Sequence, residues 1–129
     1  MKKRALFVCI ANAARSQMAQ GFARQLAPDR IEAFSAGSQP AGVVSAKAIE
    51  VMKEIGVDIS GHHSKGFNDL PIKDFDYVVT MGCGDVCPFY PAKKKIDWPL
   101  ADPKGMDLAG YRQSRDKIKK YMVDLLRKI

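Results

Sequence analysis

Apolar residues change their spacing several times along the chain, and each change marks an element. Arg4 to Cys9 is a short β-branched and aromatic run, which predicts a buried strand. From Ser16 to Ala27 the apolar positions Met18, Phe22 and Leu26 recur at helical spacing, and Pro28 ends the run. Ile31 to Phe34 predicts a second strand closed by a turn at Ala36-Gly37. Ser45 is placed to cap a second helix that turns Ile49, Met52 and Ile55 inward and stops at Gly56. Phe75 to Met81 reads as another apolar strand, followed by a loop rich in Gly, Cys and Pro, and Ile96 to Trp98 adds a short strand. Leu108 to Ile129 is a long amphipathic helix whose core face is Leu108, Tyr111, Ile118, Met122, Leu125 and Ile129.

Strands alternating with helices imply an α/β fold, a parallel sheet with helices on both faces. Ligands of such sheets bind beyond the carboxyl ends of the strands, where Cys9 and the Cys83 loop are expected. No repeat, linker or low-complexity segment interrupts the pattern, so residues 1–129 read as a single domain.

Composition narrows the function. Hydrophobic residues make up 47% of the chain, enough for a core without staples. The net charge of +7 asks for an anionic partner: nucleic acid, an acidic membrane or a small oxyanion. No apolar run approaches the ~18 residues of a membrane span, so no membrane association is expected. Arg112, Arg115, Lys117, Lys119, Lys120, Arg127 and Lys128 on the last helix could suggest a nucleic-acid-binding module. That helix already has a core face, and no aromatic residues alternate with the charges as stacking platforms. The charges therefore read as its solvated side, with no nucleic-acid partner.

Three cysteines cannot all pair, which points away from a secreted disulfide scaffold and towards reactive thiols or metal, in a cytoplasmic protein. Met1-Lys2-Lys3-Arg4, the apolar run after it and Ala11-Asn12-Ala13 mimic a secretory signal. Cleavage there would remove a good strand together with Cys9, so the basic start reads as a solvated tail before the first strand.

The sharpest chemical feature is Cys9-Ile10-Ala11-Asn12-Ala13-Ala14-Arg15-Ser16, between a strand and a helix. Such a loop turns successive backbone N–H groups inward and makes a concavity for a tetrahedral oxyanion. Arg15 adds a planar fork that clamps two oxygens, and the positive end of the following helix faces the same cavity. Ser16 can donate its hydroxyl to Cys9. All of these favour the thiolate, which is the nucleophile, and suit attack on phosphorus or arsenic.

Cys83 and Cys87 follow the third strand in Met81-Gly82-Cys83-Gly84-Asp85-Val86-Cys87-Pro88. In a helical turn their Cα atoms would lie about 6 Å apart, within disulfide range; extended, about 13 Å, beyond it. Zinc held by these two with His62 and His63 is the competing reading. Neither spacing is the usual C-x2-C, and adjacent histidines rarely share an ion, so no metal or other cofactor is expected. Two inert buried thiols are also possible. A redox relay accounts for all three cysteines: Cys83 attacks the sulfur of a Cys9 adduct, then Cys87 takes Cys83 as its partner and frees Cys9. Asp102, in a loop before the last helix, is placed to donate a proton to the leaving oxygen, although Asp-Pro is also an ordinary turn pair.

Taken together, Cys9-x5-Arg15-Ser16, Gln17-Met18-Ala19, Ser35-Ala36-Gly37, Asp58-Ile59-Ser60, the Cys83/Cys87 pair and Asp102-Pro103 resemble the thioredoxin-coupled arsenate reductases. These share the fold of low-molecular-weight protein tyrosine phosphatases. The resemblance runs in order along essentially the whole chain. It implies a three-layer architecture, a four-stranded parallel sheet flanked by helices. It implies Cys9 as nucleophile, Arg15 as oxyanion clamp, Asn12 as a support of loop shape and Asp102 as acid. Cys83 would be the first resolving thiol and Cys87 the second. The substrate would be arsenate, bound by the Ile10–Ser16 loop with phosphate as competing oxyanion. Thioredoxin would be the reductant of a monomeric enzyme, with glutaredoxin and glutathione the other possible donors.

Departures from the family pattern carry their own expectations. Ala11 replaces a common glycine, so a left-handed backbone is not expected there. Ala13 lacks a hydroxyl often seen at its position. Gln20 and Lys65 stand where some members bind potassium through carboxylates, so no potassium requirement is expected. Against a purely hydrolytic phosphatase, Lys104-Gly105-Met106 follows the Asp-Pro where aromatic grips are usual, and hydrolysis has no use for Cys83 and Cys87.

Overall fold

The computed structural model describes residues 2–82 and 92–129. Four parallel strands, β1 (Lys3–Cys9), β2 (Ile31–Gly37), β3 (Phe75–Thr80) and β4 (Ala92–Asp97), lie in the order β2-β1-β3-β4. β1 is therefore central and ends at Cys9, beside Gly37 of β2. Val8 pairs with Thr80, and Thr80 with Asp97. Parallel strands finish at one edge of a sheet, so the segments leaving β1, β3 and β4 meet there.

The helices are α1 (Arg15–Leu26), α2 (Ala46–Lys53) and α3 (Leu108–Lys128). Alternation along β1 divides the core. Ala5, Phe7 and Cys9 face Met18 and Phe22 of α1, Met52 of α2 and Ile118 and Met122 of α3. Leu6 and Val8 face the other way, against Leu70, Phe75 and Val78 with Phe67 beside them. Among the described residues this second face is covered by residues 64–74, with a single 3-10 turn at Phe67–Asp69. Phe7, Met18, Phe22, Met52, Ile118 and Met122 are essentially inaccessible, so truncating any of them to alanine costs about 2–5 kcal/mol.

Several elements differ from the sequence expectation, each for a physical reason. β2 runs straight through Ala36-Gly37 instead of turning there, because Gly37 pairs with Cys9. β4 spans Ala92–Asp97 and not Ile96–Trp98; its edge position lets Lys93, Lys94 and Lys95 point to solvent, which hides the apolar pattern. α2 is capped by Ser45 as expected, yet it buries Ala48, Val51 and Met52. Ile49 is half-buried and Ile55, beyond the helix end, is exposed.

Arg115 is buried and not part of the solvated face of α3. Its Nη1 donates to the Val51 carbonyl at 2.9 Å and to Glu54 Oε1 at 2.8 Å, tying α3 to α2. Hydrogen bonds from Arg112, then from Arg115, hold the Glu54 carboxyl down at about 2. Trp98 stacks on Tyr121 with ring centroids 5.3 Å apart, closing α3 over the end of β4.

Candidate active site

Cys9 ends the central strand and is 2% exposed. From Ile10 to Ala14 the chain leaves the sheet and enters α1 at Arg15. Every carbonyl of that stretch is bonded away from it. Ile10 O accepts from Gln39 N, Ala11 O from Ala41 N and Ser64 Oγ, and Asn12 O from Gln17 Nε2. Ala13 O accepts from Ser45 N and Ala14 O from Met18 N. Among the described residues the amides of Ala11 to Ala14 donate to no protein group. Carbonyls out and amides free is the arrangement that binds an anion. α1 starts without a side-chain cap and with no acidic residue in its first turn, so its positive end is not neutralised.

Asn12 is the one non-glycine residue with positive φ among those described, at 48°. The left-handed position thus falls one residue after Ala11, on a side chain that tolerates it, so alanine in place of glycine carries no strain. Asn12 Oδ1 accepts from Gln17 Nε2 at 2.8 Å and from Lys65 N at 2.9 Å. Its Nδ2 donates to Ser16 Oγ at 2.7 Å, and Ser16 Oγ lies 2.9 Å from Cys9 Sγ. With the Ser16 oxygen accepting from Asn12, its hydrogen is directed at the sulfur. The chain Asn12–Ser16–Cys9 is buried throughout.

Gly37 explains the tight junction of β2 and this loop: a Cβ there would stand 2.4 Å from Ile10 O and 2.8 Å from Asn12 N. Any side chain at 37 would push the loop off the sheet.

Arg15 is 2% exposed. Its Nη1 donates to Met81 O at 2.6 Å and Leu100 O at 3.2 Å, with Gly82 O at 3.4 Å. Nη2 lies 3.6 Å from Asp102 Oδ2. Asp102 is exposed and accepts from Lys104 N at 3.1 Å, so the expected acid stands beside the expected clamp. Ile10, Ala11, Asn12, Ala13, Ala14, Arg15, Ser16, Cys9 and Asp102 are therefore brought together. Cys83 and Cys87 lie outside the described residues; Met81 and Gly82, which precede them, border the site.

Gln17 carried no role in the sequence reading and proves central. Its amide bonds Asn12 twice and the His63 carbonyl, and its Oε1 accepts from His62 Nδ1 at 3.0 Å. Arg24 Nη1 donates to His62 Nε2 at 3.3 Å, so His62 is the neutral Nδ1–H tautomer. Burial first, then the charges of Arg24 and Lys65, push His62 down to about 4. Both ring nitrogens are thus occupied, which argues against His62 as a zinc ligand. The signal available in advance was the run of polar residues Ser16, Gln17 and Gln20 among the apolar positions of α1, all of them buried.

Lys65 sends its ammonium inward to Ser35 Oγ at 3.2 Å and His63 O at 3.0 Å, next to the Ser35–Gln20 bond. Burial pulls its pKa below the ordinary lysine value, with Arg24 acting in the same direction.

A strand ending in a buried cysteine, an anion-binding loop and an arginine at the helix start define a phosphatase-type oxyanion site on a parallel sheet. Residues 4–129 match the low molecular weight phosphotyrosine protein phosphatase family, and the chain belongs to it. Within that family it is similar to proteins with a different named activity. An arsenate reductase of Staphylococcus aureus (strain Newman) is 43% identical over 122 residues, covering 92% of each chain. A solved arsenate reductase in a phosphate-binding state superposes with a TM-score of 0.88 at 36% identity, over 100% of this chain and 99% of the other. A thioredoxin-dependent arsenate reductase from Corynebacterium glutamicum gives 0.83 at 38% identity, over 98% of this chain and 61% of its own longer chain.

Proposed function

We propose that this enzyme reduces arsenate to arsenite through Cys9, in a three-cysteine relay recycled by thioredoxin. One observation carries the chemistry: a buried cysteine heads a loop whose carbonyls are all bonded outward, with Ser16 Oγ 2.9 Å from the sulfur. A tetrahedral oxyanion set on the free amides of Ala11 to Ala14 presents its central atom to that sulfur.

Cys9 thiolate attacks arsenic and forms an S–As bond while one arsenic–oxygen bond breaks. Asp102 protonates the departing oxygen and Arg15 holds the remaining ones. Cys83 thiolate then attacks the Cys9 sulfur. An S–S bond forms, the S–As electron pair stays on arsenic, and As(V) leaves as As(III). Cys87 attacks Cys83, closes Cys83–Cys87 and releases Cys9. A thioredoxin dithiol reduces that disulfide and supplies the two electrons. The similarity to a thioredoxin-dependent reductase supports this donor. We place this enzyme in the cytoplasm, where thiols stay reduced, and take it to act as a monomer. It needs no potassium, because Lys65 brings its own ammonium to Ser35 and the His63 carbonyl.

The test is arsenate-dependent NADPH oxidation with thioredoxin and thioredoxin reductase. Wild type turns over steadily, Cys9→Ser is inactive, and Cys87→Ser completes about one turnover and stalls as a Cys9–Cys83 disulfide. Sustained turnover by Cys87→Ser would sink the relay. No arsenite with any dithiol donor, alongside hydrolysis of phosphate monoesters, would leave the family's phosphatase activity as the function.

A further inference from the structure

We infer that Gly82 is a positioning residue for Arg15: with the Met81 and Leu100 carbonyls it forms a cradle that aims the oxyanion clamp. The cradle also joins that clamp to the root of the segment bearing Cys83 and Cys87. The inference rests on the reading of Arg15 as the oxyanion ligand.

An arginine side chain has many rotamers, and a clamp works only when its fork is held in place beforehand. Here the holding is done by main chain. Nη1 is committed to Met81 O, Leu100 O and Gly82 O, acceptors supplied by the segments that follow β3 and β4. Among the described residues the other edge, Nε with Nη2, makes no hydrogen bond and meets only Asp102 Oδ2, 3.6 Å from Nη2, so an anion can take this two-pronged edge beside the expected acid.

Gly82 is what lets the two segments close on the guanidinium. Its φ is +78°, a conformation L side chains rarely adopt. A Cβ there would stand 1.9 Å from Leu100 O and 3.0 Å from Arg15 Nη1. A side chain at 82 would drive Leu100 off the arginine and turn the Met81 and Gly82 carbonyls away. The connection works in both directions: an anion that fixes Arg15 also fixes the 81–82 junction, and displacing that junction weakens anion binding.

The competing role is a turn glycine that matters only for stability, and the test separates the two. Inorganic phosphate serves as probe, since it binds without being reduced. In nitrogen-15 spectra of the wild type, the Arg15 Nη protons should be resolved and slowly rotating before phosphate is added. In Gly82→Ala they should average, and phosphate Kd by calorimetry should rise about tenfold or more, the effect of one lost charge-assisted bond. Cooperative thermal unfolding would show that the variant is folded. A folded Gly82→Ala that binds phosphate within about twofold of wild type overturns the proposal. So does a freely rotating Arg15 in the wild type, which decides the matter if Gly82→Ala does not fold. Wild-type arsenate turnover is scored separately, so normal turnover with a mobile guanidinium removes the cradle and leaves the reductase reading standing.

Discussion

Asn12 shows how much one side chain can hold. It takes the left-handed backbone position, receives the Lys65 and Gln17 amides and orients Ser16 towards Cys9. Asn12→Ala puts a Cβ residue without compensating bonds at φ > 0 and leaves buried donors unpaired. It should lower unfolding stability by about 2–4 kcal/mol and reduce arsenate turnover. Ala11→Gly, which restores the residue common in the family, should cost under about 1 kcal/mol, through the freer unfolded chain, and keep full activity. Denaturant unfolding of the two variants checks both. Equal losses would mean that the left-handed position is not the point of strain.

At the scale of elements, the His62 segment is tied to α1 through Gln17 and Arg24, and the tie depends on a neutral imidazole. The ordinary value of 6.5 is pushed down to about 4 in the fold. Above pH 6.5 both folded and unfolded chains are neutral there and the full stability is present. As pH falls from 6.5 towards 4 the unfolded chain takes the proton first, so stability is lost; below 4 both are charged and no more is lost. His62 is half-buried, and solvent screening keeps the loss on the order of 1 kcal/mol. Melting curves across this range should show a steeper decline for wild type than for His62→Gln. Parallel curves would refute the assignment of a neutral imidazole.

At the scale of the molecule, the net charge of +7 sits beside a site built for an oxyanion. Lys117, Lys119, Lys120, Arg127 and Lys128 stay exposed on α3, and Lys93 to Lys95 on the edge strand, so their field extends into solvent. Diffusing arsenate should feel it. kcat/KM for arsenate should fall about threefold or more between low and physiological ionic strength, with kcat unchanged. A flat salt profile would confine the role of these charges to solubility and protection of the β4 edge.

The local signals were enough for the alternation of strands and helices, the strand–loop–helix setting of Cys9 and Arg15, and the Ser45 cap. Each is written in neighbouring residues, where periodicity and capping act. What depends on distant residues was decided by the tertiary structure. The extension of β2 through Gly37 needs Cys9 beside it, and β4 needs a sheet edge to make three lysines acceptable. Arg115 reads as a surface charge until α2 offers the Val51 carbonyl and the residue after it, Glu54, its carboxylate. Gln17 acquires its role only when β1, α1 and residues 62–65 converge, and Gly82 only when the ends of β3 and β4 close around Arg15. Hydrogen bonds between segments far apart in sequence leave no period along the chain. Neighbouring residues thus name the candidate groups of the site, and contacts between distant segments set how the described ones are aimed.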